Sequence, residues 1–308
     1  MTRPKIVAIL GPTATGKSSL AILLAKKCGG EIISADSRQV YRGLDIATGK
    51  VTEEEMNGIP HHLLDVAHPQ EQFTVADFVH LGEKAIAHIL KREKVPIIAG
   101  GTGFYIEALI DGALFPHVPP NEELRAELEK LSAQELVKRL AELDATRLET
   151  VDTKNKVRLI RAIEIAETLG SVPAVARGEK YDPLRIGLDM PDDELRESIK
   201  ARTEERARCG MFDEAKTLFE NSLSYERMNA LGLEYRILAQ WLKGEISKED
   251  ALKRIAVADW QYAKRQRTWF KRDARIEWYH PNEKDAVIKR VSRFLQSTQS
   301  ADSVDSME

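Results

Sequence analysis

Residues 11–18 read Gly-Pro-Thr-Ala-Thr-Gly-Lys-Ser and match the phosphate-binding template G-x-x-x-x-G-K-[ST] at every fixed position. In such a loop the backbone N–H groups converge on an anion, and the helix that follows adds positive partial charge. Lys17 can neutralise phosphate oxygens, and the Ser18 hydroxyl can coordinate Mg²⁺. The pattern predicts a pyrophosphate site, with ATP as the default ligand, formed by Gly11, Pro12, Thr13, Ala14, Thr15, Gly16, Lys17 and Ser18.

Two more polar positions follow short apolar runs. Asp36 comes after residues 31–35, and a glycine cluster that contains Thr102 comes after residues 95–99. Ligands of open parallel sheets bind outside the carboxyl ends of the strands, so both positions are expected beside the phosphate loop. The adjacent His61 and His62 have no Cys or His partner nearby, which favours a structural or substrate-facing role over metal binding.

The spacing of apolar residues predicts the elements that hold these groups. The predicted fold class is α/β, a P-loop NTPase-like parallel sheet flanked by helices, with a small all-helical insertion domain. Predicted strands cover residues 6–10, 31–35, 62–66, 95–99, 184–190 and 276–279. Predicted helices of the core cover residues 19–27, 75–91, 192–208, 211–221, 226–243 and 247–270. Residues 1–115 and 183–285 would form the core, residues 116–182 the insertion, and residues 297–308 a disordered tail.

The insertion brings Arg158 and Arg161 to one face of a helix, because they are three residues apart. They could hold phosphate, or they could form a surface pair bridged to Glu164 or Glu167.

A basic stretch runs from Arg254 to Arg275, with seven Arg or Lys against two Asp and with aromatic residues interleaved. If the last core helix persists, its cationic residues form a stripe: Lys264, Arg267, Lys271 and Arg275. Such a stripe suits a nucleic-acid surface, but a solvated helix face over core aromatics fits the pattern equally well.

Composition excludes several classes of protein. The chain has 308 residues, of which 43% are hydrophobic and 31% charged, and no apolar run approaches the length of a membrane span. Two cysteines and an N-terminus without a signal-peptide pattern predict a cytoplasmic protein. A net charge of −3 argues against a general nucleic-acid coat.

These residues leave the reaction open. A small-molecule kinase and an enzyme that attacks a carbon bearing pyrophosphate would use the same phosphate loop and the same carboxylate.

Six segments, in order along the chain, resemble the tRNA dimethylallyltransferase family. They are residues 11–18, Ser34–Tyr41, His61–Asp65, Gly100–Tyr105, Asn155–Glu164 and Ala263–Phe270. The resemblance covers residues 4 to about 280, and only the first segment is shared with unrelated enzymes. Two segments depart from the family pattern, Ala47-Thr48-Gly49-Lys50 and Gly232-Leu233-Glu234-Tyr235.

The resemblance implies transfer of a dimethylallyl group from dimethylallyl diphosphate to the exocyclic amine of the adenosine just 3′ of the anticodon. It implies Mg²⁺ held in part by Ser18, a tRNA anticodon loop as partner, no membrane and a monomer. Catalysis would rest on Asp36 as general base together with Thr102, Lys17 and Arg158. The implied tRNA contacts are Asp36, Ser37, Arg38, Gln39, Thr102, Arg125, Val157, Arg158, Leu159, Ile160, Arg161, Lys264, Arg265 and Gln266.

Three alternatives stay open at this point. An adenylate isopentenyltransferase would run the same chemistry on a free nucleotide, although the insertion and the basic stretch favour tRNA. A P-loop kinase would transfer the γ-phosphate of ATP. A nucleotide-binding regulator without catalysis would not need Asp36 and Thr102.

Overall fold

A computed structural model describes residues 3–112, 116, 118–173, 178 and 180–297. Within them, six parallel strands form one sheet in the order β3-β2-β4-β1-β5-β6. The strands are β1 (Lys5–Leu10), β2 (Gly30–Ser34), β3 (His61–His62), β4 (Val95–Ala99), β5 (Asp182–Leu188) and β6 (Glu277–Tyr279). The α/β fold class expected from the sequence is confirmed.

The helices of the described residues connect and cover these strands. They are α1 (Lys17–Cys28), α2 (Glu53–Met56), α3 (Val75–Lys91), α4 (Gly103–Ile110), α5 (Glu122–Leu128), α6 (Ala133–Asp144), α7 (Lys156–Leu169), α8 (Asp192–Arg208), α9 (Met211–Glu220), α10 (Tyr225–Leu231), α11 (Leu233–Leu242), α12 (Lys248–Phe270) and α13 (Lys284–Gln296). A 3₁₀ turn lies at Ala145–Glu149. Helices α3 and α8 begin and end at the predicted residues, and capping by Ser247 starts α12 where the sequence predicts it.

Strand β1 shows why the sheet is buried on both faces. Its side chains alternate, so that Ile6, Ala8 and Leu10 pack toward α3 and α4, whereas Val7 and Ile9 pack toward α1 and α13. All five are at most 2% exposed. A parallel strand covered on both faces needs an unbroken apolar run, which is the signal that the sequence carries.

Two predicted elements and the predicted end of the core differ in the structure. Strand β3 ends at His62 because Leu63 and Asp65 adopt positive φ angles of 65° and 56° and turn the chain. The helix predicted over residues 226–243 is broken at Gly232, which takes φ 72° and ψ −163°. Helix α13 extends the core past residue 285, because its buried Val287 and Val291 complete the cluster on the α1 face.

The chain divides into two compact units. One comprises Met1–Asp111 with Glu179–Glu308, and the other is Gly112–Gly178. The boundaries that the sequence predicts lie at residues 116 and 182. In the second unit, α5, α6 and α7 enclose an apolar core that includes Leu128, Leu136, Leu140, Leu159 and Ile163. Apart from Ser297, the tail predicted to be disordered lies outside the described residues.

A buried ion cluster anchors α8 to α11 and α12. The Arg206 guanidinium donates to the Glu234 carboxylate at 2.8 Å and to the Asp259 carboxylate at 2.5 Å. It also donates to the carbonyl oxygen of Ala47 at 2.5 Å. Burial and the adjacent Glu234 raise the pKa of Asp259 to about 7, although Arg206 opposes the shift. Arg206 therefore offsets the repulsion between two buried carboxylates that lie close together.

Replacing Arg206 tests this cluster. We expect Arg206→Met to lower the free energy of unfolding by about 3–5 kcal/mol, because it leaves two buried carboxylates without a cation. Arg208→Met is the matched control two residues further along α8, since Arg208 is exposed and pairs only with the exposed Glu205 in the described structure. That control should change stability by less than about 0.5 kcal/mol. Urea unfolding measures both values, and equal stabilities for the two variants would contradict the expectation.

Candidate functional site

The phosphate loop connects β1 to α1, and its backbone lies close to the backbone of β5. Gly11 has φ 134°, and a Cβ there would lie 2.2 Å from the carbonyl oxygen of Leu188 on β5. Gly16, at φ 79°, caps α1 in a left-handed conformation. The Thr15 hydroxyl donates to the carbonyl oxygen of Pro12 at 2.9 Å and closes the loop. The glycines of the motif therefore stand where side chains would be excluded or strained.

Asp36 lies two residues beyond the carboxyl end of β2, and β4 separates that strand from β1, which precedes the phosphate loop. Its Oδ1 accepts the N–H groups of Arg38 at 2.8 Å and Gln39 at 3.3 Å. An aspartate that bonds the backbone two and three residues ahead forms a rigid turn, which holds the carboxylate in one orientation. Both of these bonds use Oδ1, so Oδ2 takes no part in the turn.

Thr102 joins the third loop to the Asp36 turn. Its Oγ1 accepts the N–H of Ser37 at 3.0 Å. Tyr262 on α12 lies near the same turn. Burial and the charge of Asp36 raise the pKa of Tyr262 to about 12, so that phenol stays protonated. No motif in the sequence marked Tyr262 as a site residue.

Lys17, Asp36 and Tyr262 line one cleft at the carboxyl edge of the sheet, whereas Thr102 does not lie on its wall. The cleft has a volume of about 620 Å³, which includes the part open to solvent. Six predicted site residues lie on its wall, namely Thr13, Lys17, Ser18, Asp36, Gln39 and Gln266. Other lining residues were not predicted for the site, and they include Thr48, Val51, Arg202 and Tyr262.

Arg202 is the functional residue that sequence reasoning missed most clearly. It projects from α8 into the cleft and donates from Nη2 to the carbonyl oxygen of Gly49 at 3.0 Å. Among the described residues no carboxylate forms an ion pair with it, and burial lowers its pKa. A lone arginine in a charged helix carries no sequence signal that separates it from its solvated neighbours.

Lys17 lies in the same cleft as Arg202, whose positive charge affects the pKa of the Lys17 ammonium. The Lys17 ammonium donates to the carbonyl oxygen of Pro12 at 2.6 Å. Burial and the Arg202 guanidinium lower the pKa of Lys17 to about 7, and the Asp36 carboxylate opposes them in part. A protonated Lys17 is therefore repelled by the Arg202 guanidinium, and a multivalent anion bound in the cleft would relieve that repulsion.

The segment from Ala47 to Lys50, which departs from the family pattern, is firmly held. Gly49 has φ 61°, and its carbonyl oxygen accepts hydrogen bonds from Gln39 and Arg202. The Lys50 ammonium contacts the Asp45 and Asp65 carboxylates at 2.5 and 2.6 Å. Glycine at position 49 thus permits the turn that faces Arg202, and Lys50 anchors it.

The basic stripe expected on α12 does not form, because the helix ends at Phe270. Arg267 is neutralised by Asp189 at 2.7 Å and by Asp192, and Arg275 is neutralised by Asp273 at 2.7 Å. Lys264 and Arg265 remain exposed on α12.

Gln266 also differs from its predicted role in tRNA contact. It is 4% exposed and bonds two loops of the cleft. Its Oε1 accepts the N–H of Thr13 at 2.8 Å, and its Nε2 donates to the carbonyl oxygen of Gly101 at 2.9 Å.

The predicted contacts of the insertion separate into buried and exposed residues within that unit. Leu159 and Ile160 are 0% and 7% exposed, so their side chains belong to its core and cannot present a binding surface. The buried Glu164 binds Arg125 at 3.0 Å and also pairs with Arg161. Of the two roles that the sequence left open for Arg161, the structure shows the ion pair with Glu164. Val157 and Arg158 stay exposed, the latter 3.8 Å from Asp152.

The described residues hold no group of three or more His, Cys, Asp and Glu side chains placed to bind a metal. His62 instead contacts Glu31 at 2.8 Å, and His61 contacts the carbonyl oxygen of Ile59 at 2.8 Å, which agrees with a structural or cleft-facing role. Across the described part of the chain, no helix is both long enough and apolar enough to cross a membrane.

Comparison with known proteins gives consistent results. The IPP transferase family model matches residues 39–273. The chain is 45% identical to tRNA dimethylallyltransferase 2 of Treponema denticola over 282 residues, which cover 88% of this chain and 94% of the relative. The structure is similar to the full-length tRNA isopentenylpyrophosphate transferase from Bacillus halodurans, with a TM-score of 0.73, 34% identity, and coverage of 96% of this chain and 97% of that chain. It is also similar to a eukaryotic dimethylallyltransferase acting on tRNA, with a TM-score of 0.81, 25% identity, and coverage of 95% and 79%.

The lowered pKa of Lys17 predicts proton uptake when an anion binds. At pH 8 most Lys17 side chains are neutral in the free protein, and a bound diphosphate should raise the pKa again. Wild-type protein should then take up about 0.9 proton more than Lys17→Arg, whose guanidinium is always charged, and the difference should fall to about 0.1 at pH 6. Titration calorimetry with inorganic diphosphate, in buffers of different ionisation enthalpy, measures this difference. Equal uptake by the two proteins at pH 8 would contradict the shifted pKa.

Proposed function

The chain belongs to the IPP transferase family, and from that membership and the cleft we propose the reaction that it catalyses. It transfers a dimethylallyl group from dimethylallyl diphosphate to the exocyclic amine of the adenosine just 3′ of the tRNA anticodon, and it releases diphosphate. The observation that carries the proposal is that the phosphate loop and the Asp36 carboxylate line one cleft. The cleft then offers a binding site for the leaving group and an acceptor for the proton of the attacking amine in one reaction.

The phosphate loop would hold the diphosphate of the allylic substrate. Lys17 and Arg202 offer charges that no carboxylate of the described residues neutralises by an ion pair, and the start of α1 adds backbone N–H groups. Because negative charge grows on the diphosphate as the carbon–oxygen bond breaks, these cations stabilise the transition state more than the ground state.

Mg²⁺ is part of the proposal. Ser18 lies on the cleft wall one residue after Lys17, and a single hydroxyl suits an ion that keeps several waters and binds substrate phosphates. The described residues offer no ready-made cluster of acidic ligands, so the diphosphate itself would complete the coordination. When bound, the ion would neutralise charge on the leaving group.

Asp36 would accept the proton of the attacking amine. An aromatic amine is a weak nucleophile, so a carboxylate held in one orientation helps the nitrogen form its bond to the allylic carbon. The carbon–oxygen bond to diphosphate breaks in the same reaction, and the N–H proton passes to Asp36. Thr102, bonded to the N–H of Ser37, keeps this turn beside the reacting atoms.

The tRNA would be held from α12 and from the turn that follows β2. The target adenosine is stacked in the anticodon loop and must be flipped out at a cost of a few kcal/mol. Lys264 and Arg265 are exposed on α12, and Arg38 has a buried Nε with no hydrogen-bond partner among the described residues. Val157 and Arg158 of the insertion are exposed as well, whereas Arg125 and Arg161 pair with Glu164.

The proposal extends to a monomer in the cytoplasm. The described cysteines, Cys28 and Cys209, are free thiols, as in a reducing compartment. Light scattering on the purified protein checks the monomer.

The direct test incubates the protein with tRNA and dimethylallyl diphosphate and looks for prenylated adenosine after nuclease digestion. Prenylated nucleoside from the tRNA supports the proposal. Product only when AMP replaces tRNA would assign the enzyme to free nucleotides, and transfer of labelled phosphate from ATP would assign it to the kinases.

Asp36→Asn tests the general base with little change in shape, because asparagine keeps the Oδ1 that accepts the two N–H bonds. We expect the single-turnover rate to fall by about 10²–10⁴-fold, since the amide cannot take a proton. Affinity for tRNA should stay within about threefold, as a filter-binding assay can measure. An unchanged single-turnover rate would remove Asp36 from this role.

Replacing Lys264 and Arg265 together by alanine tests the tRNA surface. The dissociation constant for tRNA should rise and its dependence on salt should weaken, because each lost phosphate contact removes about one unit from the logarithmic salt slope. The matched control is the double alanine variant of Lys253 and Arg254, which are exposed nearer the start of α12. Equal affinity of both double variants across salt concentrations would return Lys264 and Arg265 to a merely solvated face.

A further inference from the structure

One buried side chain, Gln266, connects the phosphate loop to the loop after β4, and these two loops are far apart in the sequence. It is 4% exposed. Its Oε1 accepts the Thr13 N–H of the phosphate loop at 2.8 Å, and its Nε2 donates to the Gly101 carbonyl oxygen at 2.9 Å. A single amide thus bridges residues that are 88 positions apart along the chain.

The chemistry of this bridge requires an amide. The Thr13 N–H needs an acceptor, and the Gly101 carbonyl needs a donor, and a glutamine side chain offers both at its tip. A glutamate of the same shape would accept from Thr13, but its ionised form would turn an oxygen toward the Gly101 carbonyl. A methionine would satisfy neither group, and it is unfavourable to leave a buried backbone group without a hydrogen-bond partner.

Glycines at positions 101 and 103 let the loop after β4 approach α12 closely. A Cβ on Gly101 would lie 2.2 Å from Nε2 of Gln266, and a Cβ on Gly103 would lie 2.3 Å from the ring of Trp269. Gln266 and Trp269 are three residues apart on α12 and therefore share one face of that helix. The glycines bring the backbone of the loop against this face, which leaves little room for the amide to move.

The contacts continue from this bridge to the proposed base. Gly101 is followed by Thr102, whose Oγ1 accepts the N–H of Ser37, and Ser37 directly follows Asp36. Tyr262, one turn before Gln266 on α12, lines the same cleft as Asp36. A continuous series of bonds therefore runs from the phosphate loop, through Gln266, to the Asp36 turn.

We propose that Gln266 is a positioning residue that sets the separation between the diphosphate cradle and the Asp36 carboxylate. This inference rests on the proposed function, because it concerns two groups that act on one substrate pair. Gln266 itself binds loop backbone through both ends of its amide. Its loss should therefore lower kcat more than it weakens the binding of either substrate, because a displacement of about 1 Å between reacting groups costs about 10²-fold in rate.

Two variants test the bridge in opposite ways. Gln266→Met should lower kcat by about 10²-fold at every pH between 6 and 9, with dissociation constants for inorganic diphosphate and tRNA within about fivefold of wild type. Gln266→Glu should recover activity relative to wild type as the pH falls, because a protonated carboxyl can donate to the Gly101 carbonyl again. Gln261→Met, on the exposed face of the same helix, is the matched control and should behave as wild type.

The readouts separate a positioning role from a structural one. A merely structural residue would lower stability and the active fraction without tying kcat to pH, so active sites are counted by diphosphate titration and thermal unfolding is measured in parallel. A Gln266→Met enzyme with wild-type kcat, or a Gln266→Glu profile parallel to wild type, overturns the inference alone. If Gln266→Met fails to fold, the isosteric Gln266→Glu decides the question. Wild-type protein that prenylates no tRNA overturns the proposed function instead.

Discussion

Close approach of backbone at the carboxyl edge of the sheet is the constraint on which the site depends. A Cβ on Gly11 would lie 2.2 Å from the Leu188 carbonyl oxygen, and a Cβ on Gly100 would lie 2.1 Å from that of Ala35. Only residues without a side chain can stand at these points. The loops after β1, β2 and β4 therefore meet closely enough for a phosphate cradle and a carboxylate to share one cleft, as parallel sheets allow at this edge.

The cleft carries positive charge that the fold does not fully neutralise. Elsewhere in the described structure buried cations have acidic partners: Arg206 has Glu234 and Asp259, and Lys50 has Asp45 and Asp65. In the cleft, burial and Arg202 lower the pKa of Lys17 to about 7. A bound diphosphate would relieve this unfavourable repulsion, and the same cations would then stabilise the negative charge of the leaving group.

Helix α12 connects these features. One face carries Tyr262 and Gln266 against the cleft loops, and Asp259 joins the ion cluster that holds α8, the helix of Arg202. Lys264 and Arg265 are exposed on the same helix. A long helix with seven buried residues is stiff. This one helix can therefore keep the phosphate loop in a constant position and also present cations to solvent.

The sequence by itself determined the sheet strands, the phosphate loop and the placing of Asp36 and Thr102, because strand signals and glycine motifs are local and the edge of a parallel sheet brings their ends together. It could not decide the partners of charged and polar side chains. Arg267 is neutralised by Asp189, 78 residues away, and Gln266 turns inward to Thr13, 253 residues away. Helical spacing places a residue on a face of its helix, but only tertiary packing decides what that face meets.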